Sequence, residues 1–503
     1  MTTSIGARWR AASAALLATA LLSTGCGNRT ADTGSNAVAT TAPRAANETA
    51  RQPGTDPATS AAPGPGAVPV ATPQAGFAPP APSNSGSTDV ATAAQAPRPA
   101  QAAAPVPKNG GNSPTGARPS DETASGASNG PSRGAAFDTP APGAPVPGAT
   151  PTACTKSLSP LVLGSVTTMS GLVGETVNGG AKAVQAWAAA RNASGGFLCH
   201  PIKYVIADDG ADPNRHQSLV QQLFERDKAV AFLYNGAPLS GYSSVNYVNQ
   251  KHVPVIGNEG GSSWFYDSQY FFPHALSGGA PFAESFFAAT ALSDAAQGKK
   301  KIAAISCVEA PICSSTYSQA EAAAKKFHLE LVYNAQATLT QPDYTSQCLQ
   351  AQSKGAEVLA LSIDGNSIHR LARSCESVGY KPILVTVVVN VRPDYSSDPA
   401  IGGFIGATHT LPWFNTANPL MKEMHMVMAK YAPGLVESGA SASGWVVAKL
   451  FESAVQALPD PPTSDSILES LWKVKNNDVG GLTAPLTFTK GQPSKVIDCI
   501  WAP

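Results

Sequence analysis

The chain has 503 residues, a formal net charge of zero and a charged fraction of only 14%. That length leaves room for two to four domains. Balanced charge excludes the basic surplus that nucleic-acid binding requires, so no nucleic-acid partner is expected.

The N-terminus carries the marks of export. Arg8 and Arg10 supply positive charge, and the twelve residues 11–22 are apolar except for Ser13 and Thr19. Such a run is too short to span a bilayer, which takes about 20 residues, but it suits a signal peptide. It ends in Leu22, Ser23, Thr24, Gly25 and Cys26. This series resembles a bacterial lipobox, in which a Cys after small residues is diacylated and becomes the mature N-terminus. The resemblance implies that residues 1–25 are a lipoprotein signal peptide. It also implies that a lipid on Cys26 anchors the exported protein to the outer face of the cell membrane.

Residues 27–153 contain no Leu, Ile, Met, Tyr, Trp or Cys and hold 22 of the 43 prolines. They cannot bury enough apolar surface to offset chain entropy. Residues 26–153 are therefore expected to be a lipidated Cys followed by a disordered tether rich in Pro, Ala, Gly and Thr. Random-coil scaling gives that tether a reach of about 60 Å. Gly126, Ser128 and Gly130 match a Gly-x-Ser-x-Gly pattern. They lie inside the tether, without the strand and helix that hold a nucleophile elbow.

The remaining 350 residues alternate between β-branched apolar runs and amphipathic stretches. Strands are predicted at 161–166, 202–207, 229–234 and 253–257, and helices at 180–191, 213–226 and 239–249. Asp212 caps the second helix and Pro213 occupies its first position. The rhythm then repeats, with helices at 282–295, 315–327, 344–353 and 367–378 and strands at 301–306, 329–333, 358–363 and 383–388. Helices at 417–430, 441–457 and 465–474 follow, then closing strands at 485–489 and 495–500. Alternation of this kind predicts parallel sheets covered by helices on both faces. Two such series give two doubly wound lobes, with a ligand site beyond the carboxyl ends of their strands. Trp187 lies on an apolar helical stripe and is expected in the core. Trp264 could stack on a ligand or pack at the hinge. The lysines at 299–301 read as a solvated turn.

Seven cysteines follow Cys26, and exported domains form disulfides. The chain order predicts three pairs. Cys348 and Cys375 sit on helices flanking one strand, which consecutive crossovers place side by side. Cys307 and Cys313 close a short loop at a strand end, over the cleft. Cys154–Cys199 ties the start of the domain to the turn after its first helix. Cys499 is left over. No CxxC or zinc-like spacing occurs, and no Walker loop, HExxH, GxGxxG or nucleophile–base pair. No enzyme activity, metal or cofactor is expected.

Several segments together resemble one family. They are Arg191-Asn-Ala-Ser-Gly-Gly-Phe197, Asp208-Asp-Gly-Ala-Asp-Pro213, His252-Val-Pro-Val-Ile256 and Ser377-Val-Gly-Tyr-Lys-Pro382. In this order they are similar to type I periplasmic binding proteins, in the leucine/isoleucine/valine-binding branch of ABC importers. The resemblance spans about 160–500. It implies a Venus-flytrap receptor with a three-crossing hinge, lobe 1 at 154–275 plus 412–482 and lobe 2 at 276–411 plus 483–503. Such a domain captures a small polar solute, an amino acid or related compound, and delivers it to an ABC permease. A sensor of the same fold without transport is the alternative.

By the same resemblance, ligand contacts fall on loops after the third and fourth strands and in lobe 2. The candidates are Asn235, Ser240, Gly260, Gly261 and Ser262, with Glu259 as a possible ammonium partner. In lobe 2 an aromatic family position falls near Asp364, and the acidic ammonium partner falls near Val388. Valine there removes the counter-charge an α-amino acid would need, and Asp364 is the nearest substitute.

Overall fold

The computed structural model describes residues 36–39, 154–258, 261–275, 278–401, 403–496 and 499–502. The signal segment, Cys26 and the rest of the expected tether lie outside the described residues. Within the tether span, β1 (Asn36–Ala39) is a strand. It pairs antiparallel with the last strand of the chain. Composition alone does not reveal this strand, because edge pairing is made by backbone groups and needs no large side chains.

The first sheet is built from β2 (Leu161–Thr167), β3 (Ile202–Asp208), β4 (Ala231–Leu233), β5 (Val255–Ile256) and β6 (Phe271–Phe272). They run parallel in the order β3-β2-β4-β5-β6. Leu161 and Leu163 face one core, whereas Val162 and Val166 face another, as the two-residue period of a strand requires. Helix α1 (Gly174–Ala193) covers the first face, and α2 (Pro213–Glu225) and α3 (Val245–Lys251) cover the second. Asp212 caps α2 by accepting from the Arg215 N–H, as expected.

Helix α1 starts six residues before the predicted 180, because Gly179 and Gly180 weaken the local helical signal. Packing explains the second glycine. A Cβ on Gly180 would fall 1.9 Å from Cζ of Tyr234. The neighbouring helix repeats the device, since a Cβ on its Gly444 would meet the Gly180 carbonyl oxygen at 2.1 Å.

The second lobe begins with α4 (Ala280–Leu292). It continues through β7 (Lys301–Ser306), α5 (Pro311–Lys326), β8 (Glu330–Gln336), α6 (Thr345–Ser353), β9 (Val358–Ser362), α7 (Gly365–Ser377), β10 (Ile383–Val387) and β11 (Phe404–Ala407). The strands are parallel in the order β11-β10-β9-β7-β8. Phe286 of α4 and Ala320 of α5 pack on one face, and Cys348 of α6 and Leu371 of α7 on the other. Helices α8 (Pro419–Tyr431), α9 (Gly439–Ala454) and α10 (Ser464–Leu471) then return to the first lobe, where Met421, Trp445 and Leu468 share a core with Trp187. Finally β12 (Cys499–Ala502) rejoins the second lobe, and Trp501 bridges to Thr408. The chain thus forms two five-stranded parallel-sheet lobes joined by three crossings, a Venus-flytrap architecture.

Three differences from the sequence reading have local causes. The strand expected at 485–489 is absent. Thr483 and Leu486 make only isolated bridges, and Pro485 between them has no N–H to extend a ladder. Strands β6 and β11 escaped notice because one has two residues and the other contains Gly406 beside Gly403. The third concerns sulfur. Cys154–Cys199, Cys307–Cys313 and Cys348–Cys375 are bonded as expected, with Cα separations of 5.5, 4.9 and 5.0 Å. Cys499, expected to be unpaired, is disulfide-bonded as well. The 350-residue domain holds an odd number of cysteines, which by itself leaves one surplus.

Candidate functional site

Both sheets point their carboxyl ends at the same space. A cavity of about 180 Å³ lies there, lined from lobe 1 by the loops after β4, β5 and β6 and from lobe 2 by the loops after β7, β9, β10 and β11. This is where open parallel sheets place ligands, because strand ends and helix starts leave backbone groups unpaired there. The walls are largely apolar: Val173 just before α1 and Val177 within it, Leu239, Phe282, Leu339 and Val388. The Cys307–Cys313 disulfide forms part of the wall, over the cleft as expected. Among the described residues, no Lys or Arg lines the cavity.

The sequence candidates divide into three groups. Gly261, Ser262 and Asp364 all line the cavity, the first two from lobe 1 and the third from lobe 2. Asn235 and Ser240 are buried elsewhere. The Asn235 side-chain oxygen accepts from the Val166 N–H at 3.0 Å, which joins the ends of β2 and β4. The Ser240 hydroxyl donates to Asp209 at 2.7 Å. Glu259 and Gly260 lie outside the described residues. Trp264 packs edge-on against Phe265 and Phe271, away from the cavity lining.

Asp364 has a structural task as well. It is the N-cap of α7, and one carboxylate oxygen accepts from the N–H groups of Asn366 and Ser367 at 2.9 and 3.2 Å. Its other oxygen accepts from the Ser367 hydroxyl. Val388 lines the cavity, and its side chain is wedged between two glycines of opposite lobes. A Cβ on Gly406 would come within 2.7 Å of Val388 Cγ2, and one on Gly439 within 2.3 Å of Cγ1. The lobes therefore touch at Val388 and Gly439. A second bridge is the ion pair of Arg392 with Glu175 in the first turn of α1.

Sequence reasoning missed the histidines. His274 follows β6 and His409 follows β11, so both sit in hinge crossings, and both line the cavity. They are 2% and 5% exposed. Nδ1 of His274 and Nε2 of His409 are buried without a hydrogen-bond partner. Burial lowers the pKa of each to about 3, and for His409 the charge of His274 adds to the effect. The hinge around them is knitted together: Thr483 donates to the His274 carbonyl at 2.8 Å, and Thr410 bridges to Thr483. No motif links the two histidines in sequence, and β6 and β11, which place them, were the strands not predicted.

A separate buried cluster supports the lobe 1 rim. Asp209 accepts from Thr168, Ser240 and the Ala211 N–H at 2.7, 2.7 and 2.8 Å, and meets His216 at 2.8 Å. Burial alone would raise its pKa, but these hydrogen bonds outweigh burial and leave it below the ordinary value.

Comparison with known proteins agrees with this architecture. A solved structure of a possible leucine/isoleucine/valine-binding protein from Rhodopirellula baltica SH 1 superposes with a TM-score of 0.60 at 19% identity, covering 69% of this chain and 95% of that one. A branched chain amino acid ABC transporter from Thermus thermophilus with bound valine gives 0.58 at 16%, covering 67% and 91%. A fatty acid ABC transporter substrate-binding protein from Thermomonospora curvata gives 0.57 at 19%, covering 67% and 86%. No curated protein matches the chain. At these identities the structures attest the fold, and the sequence family supplies the rest. The profile described as periplasmic binding protein matches residues 160–501, from β2 to the last strand, and the chain belongs to that family.

Proposed function

We propose that the protein is an extracytoplasmic solute-binding lipoprotein. It captures an amino acid or related carboxylate, of the branched-chain type, and delivers it to an ABC permease. The observation that carries this reading is the cavity shared by the strand ends of both lobes, with Gly261 and Ser262 on one side and Asp364 on the other. Residues 154–275 with 412–482 form the first jaw and 276–411 with 483–503 the second. A ligand that touches both stabilises the closed form by its differential affinity for it. The apolar walls suit a branched aliphatic chain, which also fits the valine of one structural neighbour.

Native mass spectrometry of freshly purified protein, followed by calorimetry with L-valine, L-leucine, isovalerate and isovaleramide, tests the reading. Saturable binding of at least one of these, weakened at least tenfold by Ser262→Ala or Asp364→Ser, supports it. A folded protein that binds none of them overturns it. Transport is tested by pulling down permease subunits from membranes with ligand-loaded protein.

The anchor has its own test. Cys26 is the only cysteine beyond the seven described ones, and a sulfur held in a thioether cannot also join a disulfide. A mature mass carrying diacylglycerol at Cys26 supports the lipid. A lipid-free mass with Cys26 linked to Cys499 refutes it.

A further inference from the structure

We propose that His274 and His409 form the polar end of the solute cavity and hold the carboxyl group of an apolar monocarboxylic acid that needs no ammonium partner, with one proton taken up on binding. The inference rests on the reading that this cavity is the solute site, and it narrows the class of solute.

Two histidines are buried at the hinge, line the cavity and each keep one ring nitrogen with no partner. A buried polar atom left unsatisfied costs about 1–3 kcal/mol and calls for an explanation. Here the rings come from two separate crossings and converge on one space. The His274 ring packs closely against Gly257, at a φ of 53°, where a Cβ would lie 2.9 Å from Nδ1, so the backbone there holds the ring in place.

The chemistry follows from what else faces the pair. The titratable groups around it are each other and, across the cavity, Asp364. The charged residues of α9, Lys449 and Glu452, are engaged with Glu423 and Arg191. No Lys or Arg among the described residues lines the cavity to receive a carboxylate. A carboxylate entering alone would be desolvated without a counter-charge, which is costly. Burial keeps both imidazoles neutral in the empty site, so the proton must arrive with the ligand. It ends between a ring nitrogen and a carboxylate oxygen. A charge on one ring opposes a charge on the other, so the pair takes up one proton rather than two. Among the described residues Asp364 is the one carboxylate lining the cavity, and it already accepts three hydrogen bonds from its own helix, so an α-ammonium would have to share it.

Calorimetry of isovalerate and hexanoate between pH 5.5 and 8 tests this on the full-length protein. The dissociation constant is expected to rise about tenfold per pH unit, as uptake of one proton requires. Heats measured in buffers of different ionisation enthalpy should report the same single proton. His274→Gln and His409→Gln keep size and polarity but cannot titrate in this range. Each should weaken isovalerate at least about tenfold and remove the proton uptake, and thermal melts establish that the variants are folded. Isovaleramide should show no pH dependence, and L-valine should bind more weakly than isovalerate. Binding of L-valine without proton uptake, undiminished in both variants, overturns the inference and leaves the solute-binding reading intact. Binding of no probe at all overturns both.

Discussion

Asp209 illustrates how a buried polar residue can serve the frame of the first lobe. Its carboxylate collects a backbone N–H, two hydroxyls and an imidazole, all under 3 Å. Asp209→Ala should lower stability by about 3 kcal/mol, because it strands His216, Ser240 and Thr168 in the core. The pH dependence has a definite sign. The folded pKa lies below the ordinary value of 3.8. The contribution of Asp209 is therefore complete above the unfolded pKa and is lost as pH falls below it through the folded value. Urea titrations from pH 6 to 3 should show a steeper acid loss in wild type than in the variant. Asp364 divides its role. Asp364→Ala should cost about 1 kcal/mol through loss of the α7 cap, whereas Asp364→Ser should retain most of it, since Ser caps nearly as well. Equal destabilisation of both in thermal melts would show that the charge, rather than the cap, is what the helix uses.

At the scale of elements, two kinds of staple hold the lobes. In lobe 2, Cys348–Cys375 joins α6 to α7 across a sequence separation of 27. Loop-closure entropy makes such a link worth about 3–4 kcal/mol. The double variant Cys348→Ala/Cys375→Ala should lose that much in denaturant titrations without altering the fold. In lobe 1 the staple is ionic. Arg191 of α1, Glu423 of α8, and Lys449 and Glu452 of α9 form one nearly buried cluster. Helix α1 thus touches both later helices through charge and through the Gly180–Gly444 approach. These are contacts between segments more than 200 residues apart, and no window of sequence contains them.

For the whole molecule, the proposed function depends on how closely the jaws meet. The contact of Val388 with the Gly439 backbone leaves no room for a side chain at 439. Gly439→Val should hold the lobes apart. Ligand affinity is expected to fall at least tenfold, and small-angle scattering of the ligand-saturated variant should report a larger radius of gyration than that of wild type. A variant that closes and binds normally would show that this contact does not limit closure.

Fold class, the two series of strands and helices, the Asp212 cap and three disulfides were legible in the sequence because each rests on local information. Periodicity, turn chemistry and the side-by-side placement of consecutive crossovers need only neighbours in the chain. The placement of Gly261, Ser262 and Asp364 on the cavity was legible for the same reason: they follow strands, and the carboxyl ends of parallel strands leave such a space. Tertiary structure alone decided the rest. It turned Asn235 and Ser240 toward the frame, paired Cys499 and set Val388 between two glycines. It also brought His274 and His409, 135 positions apart, into one cavity at the hinge. Proximity between distant segments is created when sheets and helices pack, and the short strands that carry these histidines owe their existence to that packing.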